Sequence, residues 1–206
     1  MEKFLHDYKK IRKFRKYNKA PVDELGAHCL PDKNIDPATF RYQALISVLI
    51  SSRTRDEKTA LAIRKLQEHG LTINNILKTP ESKIKELIID VGFSNTKASY
   101  IKNITTILHR DYQDDIPDNI DDLLKFKGVG PKIATLIMLI AWDDVTGISV
   151  DSHIHRIANE LDWVDTRTAD KTKIELEKIV PRKYWREINQ VLVGFGQLRA
   201  LPKVIK

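Results

Sequence analysis

Cysteine, long uncharged hydrophobic runs and β-type patterning are nearly absent from this chain of 206 residues, and each shortage excludes something. The single cysteine, Cys29, cannot form an intramolecular disulfide, which suits a reducing compartment, and it cannot supply an all-cysteine zinc or iron–sulfur site. No apolar run is long and uncharged enough to span a bilayer, and no secretory signal pattern opens the sequence, so no membrane partner is expected. There is no repeat of fixed period and no low-complexity tract. Only Gly147-Ile148-Ser149-Val150 has the β-branched look of a strand, and four residues make no sheet. What remains has ordinary globular composition, 42% hydrophobic and 31% charged, and its fold class is all-α.

Charge is the first positive signal. The formal net charge is +7 and the pI about 9.3. Much of the excess sits in the first twenty residues, where Lys3, Lys9, Lys10, Arg12, Lys13, Arg15, Lys16 and Lys19 face only Glu2 and Asp7. A basic block of this kind points to a polyanion, nucleic acid above all. The same segment also reads as a helix with a solvated basic face, because Phe4, Tyr8, Ile11 and Phe14 recur at helical spacing. A nuclear-import signal is a third reading.

Helical periodicity runs through the rest. Residues 42–50 form a buried helix. Thr54-Arg55-Asp56-Glu57 reads as a capping box opening a helix toward Leu66, and Ser94 as the cap of a helix through Leu108. A short helix over 120–126 precedes a longer apolar one over 132–142, and three more cover 152–161, 169–179 and 184–195.

The stretch "FKGVGPKIATLIMLIAW" carries the chemistry. Gly128 and Gly130 permit positive φ and close approach of another backbone, and Pro131 suits a first helical position. Such a turn presents backbone N–H groups at a helix N-terminus, an arrangement that binds phosphate; a plain helix–helix turn with a glycine cap is the other reading. Lys132 then falls where the positive end of the helix opposes an ammonium. In a partly buried site that placement favours an uncharged amine, a nucleophile able to form a Schiff base with a sugar carbon; a lysine reaching out to water or phosphate is the alternative. Downstream, in "ISVDSHIHRIANEL", Asp151 is placed to cap a helix, and an ionised cap carboxylate can also stabilise positive charge on a sugar or accept the lysine's proton. His153 and His155, two apart on a helix, do not share a face, so no metal site is expected; His153 positions substrate or phosphate and His155 packs.

At these two motifs the sequence resembles the helix-hairpin-helix DNA glycosylases, specifically the endonuclease III family in its eukaryotic branch. "LLKFKGVGPKIA" and "VDSHIHRIANEL" carry the resemblance, with "YQALISVLISSRTRDEKT", "VGFSNTKASYIKNI" and "WREINQVLVGFGQ", so that it covers about residues 40–200. It implies two helical domains with a DNA-binding cleft between them. One is a six-helix barrel over 34–144 that includes the hairpin motif at about 120–142; the other is built from 1–33 and 145–206. It also implies a bifunctional glycosylase and AP lyase of base excision repair that removes oxidised pyrimidines from duplex DNA, with Lys132 and Asp151 as catalytic residues. Gly128, Val129, Gly130 and Lys127 of the hairpin, with Arg53, Asp56, Phe93 and His153, are the implied DNA contacts. A monovalent cation on the hairpin carbonyls, a monomeric state, and nuclear action in a eukaryote (cytoplasmic otherwise) follow from the same likeness.

Two departures stand out. The family usually carries four cysteines in a C-terminal loop that ligate a [4Fe–4S] cluster; here the sequence runs "GQLRALPKVIK" and no cluster is expected. Arg53 stands where the family commonly has a glutamine that fills the gap left by the flipped nucleotide, while Phe93 matches the family's apolar wedge. A non-catalytic DNA-binding protein and a monofunctional mismatch glycosylase are the competing functions.

Overall fold

The computed structural model describes residues 2–198, and every regular element among them is helical. In chain order the helices are α1 (Glu2–Tyr17), α2 (Pro21–Leu25), α3 (Pro37–Ser51), α4 (Asp56–His69), α5 (Ile73–Lys78), α6 (Glu81–Leu87), α7 (Ser94–Asp111), α8 (Ile120–Leu123), α9 (Pro131–Ala141), α10 (Ser152–Glu160), α11 (Ala169–Ile179) and α12 (Trp185–Gln197). Residues 147–150 run without joining a sheet. The last eight residues, where the departure from the cluster-bearing loop was read, lie outside the described part.

The chain divides into two compact units, Leu25–Asp144 and a second that joins the residues up to Glu24 with those from Val145 onward. In Leu25–Asp144 the organising element is α3. Asp36 caps it by accepting from the Thr39 N–H at 2.9 Å, with Pro37 at its first position. All of residues 42–50 are buried, so this helix is surrounded rather than laid on a surface. Two of its buried polar side chains are satisfied inside, while the buried Ser47 Oγ is not: the Tyr42 hydroxyl lies 2.7 Å from Thr105 Oγ1, and Gln43 Oε1 accepts from Asp32 N at 2.9 Å and Gln67 Nε2 at 2.8 Å. Helix α9 packs on α3, and Leu66, Ile76, Ile84, Ile101 and Ile104 close an almost wholly aliphatic core.

The other unit depends on α1. Phe4, Tyr8 and Ile11 are buried as their spacing implies, and Phe14 is half-buried. Phe4 stacks on Tyr8 (5.1 Å between ring centroids) and meets Trp163 edge-on at 4.8 Å. The Trp163 indole N–H donates to the buried Asp7 carboxylate at 3.1 Å. Lys3 pairs with Asp162, Arg12 with Glu187 and Arg15 with Asp23. These pairs absorb part of the basic block and leave Lys9, Lys10, Lys13 and Lys16 on the exposed face of α1.

Candidate active site

The hairpin forms as the sequence implies, with one difference. Asn119 caps α8 by accepting from Asp122 N at 2.9 Å, and the helix stops at Leu123, earlier than the expected 126. Phe126 and Val129 are buried and pin the turn to the core, with the Val129 N–H donating to Phe126 O at 3.1 Å. Gly128 is needed twice: its φ is +87°, and a Cβ there would stand 2.5 Å from the Tyr100 ring. Gly130 does not use the left-handed region; it is extended, with φ −99°, and caps α9 ahead of Pro131. A Cβ at Gly130 would meet nothing within 4 Å, so the space in front of the helix is open. The first helical bond of α9 runs from Ala134 N to Gly130 O at 2.9 Å, which leaves the preceding turn outside the ladder, at the positive end of the helix.

Lys132 is the second residue of α9 and is exposed, where the sequence led to a partly buried amine. The cause is the register of the helix. Ala134, Thr135, Ile137 and Met138 face the core, and residue 132 falls off that face. Lys127 is also exposed, on the hairpin itself.

Two further turns of this unit approach the hairpin. Arg53 (φ +52°) and Phe93 (φ +60°) both hold the left-handed conformation that non-glycine residues rarely adopt. Both are exposed, Phe93 by 61%, and the Arg53 guanidinium lies 5.6 Å from the centre of the Phe93 ring. A cavity of about 240 Å³ is lined by Arg53, Phe93, Thr96, Lys97, Tyr100 and Gly128, with Leu49 and Ser52. Three residues singled out in the sequence, Arg53, Phe93 and Gly128, therefore share one pocket. Asp56, the first residue of α4, is half-buried nearby in sequence.

Neither expected helix cap of this region forms. Helix α4 starts after Arg55, which makes no side-chain cap, and Thr54 Oγ1 instead accepts from Gly92 N at 3.2 Å and from Lys97 Nζ at 3.1 Å. Phe93, not Ser94, holds the cap position of α7. A tertiary bond across two turns outcompeted the local one. Lys97 itself escaped notice in the sequence. Its signal is that it shares the apolar stripe of α7 with Ile101, Ile104 and Leu108, all buried. At 6% exposure, with burial as the cause, its amine is pushed down to about 8.

In the other unit Asp151 caps α10 as expected, its Oδ1 accepting from Ile154 N at 2.9 Å, and stays half-buried. His153 is half-buried, close enough to Gly196 that a Cβ there would lie 2.6 Å from its Nδ1. His155 Nδ1 lies 2.7 Å from Thr172 Oγ1, a packing role. Among the described residues no group of three or more His, Cys, Asp or Glu could hold a metal ion.

A glycine-closed hairpin feeding a lysine at a helix start is the feature by which known proteins can be compared. The profile described as "HhH-GPD superfamily base excision DNA repair protein" matches residues 46–182. The chain belongs to that superfamily. Within it the chain falls in the endonuclease III branch. It is 44% identical over 203 residues to endonuclease III-like protein 1 of Gallus gallus, covering 98% of this chain and 72% of that protein. It is 42% identical over 199 residues to the endonuclease III homolog of Schizosaccharomyces pombe, where the cover is 95% and 56%. With Bos taurus endonuclease III-like protein 1 the shares are 93% and 64%, so the chain spans between about half and three-quarters of these relatives' lengths. The fold matches a trapped endonuclease III–DNA covalent intermediate with TM-score 0.76 at 24% identity, over 94% of this chain and 85% of that one.

Endonuclease III proteins usually carry a [4Fe–4S] cluster, and the donor set here does not fit one. Such a cluster takes four thiolates, and the sequence holds Cys29 alone, in a 3₁₀ turn (Ala27–Cys29) of the Leu25–Asp144 unit.

Proposed function

We propose that this HhH-GPD protein is a bifunctional DNA glycosylase and AP lyase that acts on oxidised pyrimidines in duplex DNA. The observation that carries the reading is Lys132: an exposed lysine at the second position of a helix whose glycine-bordered start suits a phosphate. Membership of the endonuclease III branch supports it.

In this reading a damaged nucleotide is turned out of the duplex, and the hairpin amides around Gly128, Gly130 and Lys132, with Lys127, hold the backbone. The turn's carbonyls are offered to a monovalent cation. Val129 serves through its buried side chain, which fixes the turn. Lys132 Nζ attacks C1′; the C1′–N bond breaks and the base departs with its electron pair and gains a proton. Asp151, ionised at the positive end of α10, stabilises positive charge on the sugar and takes the proton that the amine loses. The C1′–O4′ bond then opens, O4′ taking its electron pair and a proton, to leave a protonated Schiff base that acidifies C2′; loss of that C2′ proton expels the 3′ phosphate with the C3′–O electron pair and cuts the strand 3′ to the lesion. Arg53 and Phe93 enter the duplex where the nucleotide has left, while Asp56 and His153 complete the DNA contacts. The protein acts as a monomer, in the nucleus if its host is a eukaryote and in the cytoplasm otherwise.

An oligonucleotide duplex carrying thymine glycol tests this. The expected product is a strand cut 3′ to the lesion and ending in an unsaturated aldehyde, and Asp151→Asn slows its formation at least a hundredfold. Base release that leaves an uncut abasic strand would identify a monofunctional enzyme, and binding with no release a non-catalytic one.

A further inference from the structure

Two lysines of α7 do the same local job in different places. Lys102 Nζ donates to Ile76 O, Leu77 O and Thr79 O at 3.1, 2.6 and 2.8 Å, closing the end of α5. Lys97 Nζ donates to Ile50 O at 2.8 Å, Ser52 O at 2.5 Å and Thr54 Oγ1 at 3.1 Å, closing the end of α3. Three acceptors satisfy the three donors of each ammonium, and a cation suits a helix C-terminus. Here the likeness ends. The turn at Thr79 has φ −76° and holds no strained residue, whereas the turn that Lys97 holds carries Arg53.

Residues in the left-handed region persist only where their surroundings over-determine them. Arg53 and Phe93 have that need, and one network meets it for both. Thr54 Oγ1 accepts from Lys97 on one side and from the Gly92 N–H on the other, so the turn before Phe93 is tied to the turn holding Arg53. The backbones touch: a Cβ at Gly92 would stand 2.7 Å from Arg53 O. Above this clasp the two exposed side chains sit at 5.6 Å and form one wall of the pocket that Tyr100 and Gly128 complete. Arg53 and Phe93 are themselves exposed and add nothing to the buried core.

We propose that Lys97 is a positioning residue, which clasps the two turns so that Arg53 and Phe93 enter a duplex together and in one register. This rests on the glycosylase reading given above, and it extends it to a buried residue that touches no DNA. A neutral methionine of similar length keeps the packing and loses all three bonds.

The experiment reads insertion rather than chemistry. A duplex carries a stable abasic analogue with 2-aminopurine opposite, whose fluorescence rises when it is unstacked. Wild type should brighten it severalfold on binding. Lys97→Met should bind with affinity within about threefold and brighten it at most one-third as much. Lys102→Met, which removes the matching cap elsewhere, should brighten it as wild type does. On the Arg53→Ala/Phe93→Ala background, Lys97→Met should change the residual signal less than twofold. Thr54→Val, which cuts the same bridge from its other side, takes the place of Lys97→Met if circular dichroism shows that variant unfolded, and the same loss is expected. Full brightening by the clasp variant, equal losses for Lys97→Met and Lys102→Met, or no brightening by wild type would each overturn the proposal. A wild type that brightens the probe but never releases a damaged base overturns the glycosylase reading and leaves the clasp standing.

Discussion

The two units of this chain are held together by different means. Leu25–Asp144 has a continuous, mainly aliphatic core around a helix whose residues 42–50 are all buried. The unit built from both chain ends adds to its aliphatic residues a cluster of aromatic rings centred on α1, and ion pairs reach from α1 to residues far along the sequence, such as Arg12 to Glu187. Lys132 belongs to the first and Asp151 to the second. The lesson is that the lysine proposed as nucleophile stands on a frame that is complete in one stretch of sequence, while the carboxylate proposed to assist it stands on one that includes the N-terminal helix.

The largest expected effect breaks that difference directly. Phe4→Ala should cost about 3–5 kcal/mol and Leu45→Ala about 2–5 kcal/mol, both from cavity formation and lost burial. Hydrogen exchange should show the first loss confined to α1, α10, α11 and α12, and the second to the helices around α3. If Phe4→Ala opened both units alike, the distinction drawn above would be wrong. Within the hairpin, Gly128→Ala should destabilise by about 2–3 kcal/mol through its positive φ, and more through contact with Tyr100. Gly130→Ala should leave thermal stability within about 0.5 kcal/mol, since its backbone is ordinary and the space open, yet weaken duplex binding.

Acid provides a finer probe. Burial pushes the Asp23 carboxyl up, but hydrogen bonds from the Arg15 guanidinium, the Ala20 N–H and Gln190, with the charge of Arg15, outweigh it and hold it below the usual carboxylate range. A group lowered in the folded state stabilises fully above its unfolded value, near 3.9, and loses that contribution as pH falls through the folded value. Asp23→Asn should therefore cost about 1.5 kcal/mol at neutral pH and less as the pH drops below 4, as denaturant titrations at several pH values would show. A constant difference at every pH would contradict the assignment. The smallest effect concerns the exposed face of α1. Changing Lys9, Lys10, Lys13 and Lys16 to Gln should reduce the slope of log affinity against log salt by about one for each lysine that meets a phosphate. An unchanged slope would leave α1 a purely structural helix.

Local patterns in the sequence carried most of the architecture and one side of the site. Residues 169–179 and 42–50 announce their helices by periodicity, and Pro131 and Asp151 sit at the helix starts they imply. What the sequence hid depends on contacts between distant segments. Helices α5 and α6 are short, and their start signals, Thr72 and Pro80, are readable only once the neighbouring core is known. Thr54 looked like half of a capping box because its true partners, Gly92 and Lys97, lie about forty residues away. Lys132 was expected to be half-covered because the register of α9 against the core cannot be read from its nearly all-apolar composition. Lys97 falls on the buried stripe of its own helix, but its three acceptors lie in the turn about forty residues earlier, out of reach of any local pattern.

The central claim concerns one nitrogen atom, and borohydride reaches it directly. Incubated with a duplex carrying thymine glycol or an abasic site, the wild-type protein should be reduced onto the DNA, and mass mapping should find the adduct on Lys132. Lys132→Gln should bind the same duplex and form none. No adduct from a wild type that binds, or an adduct on another lysine, would contradict the account.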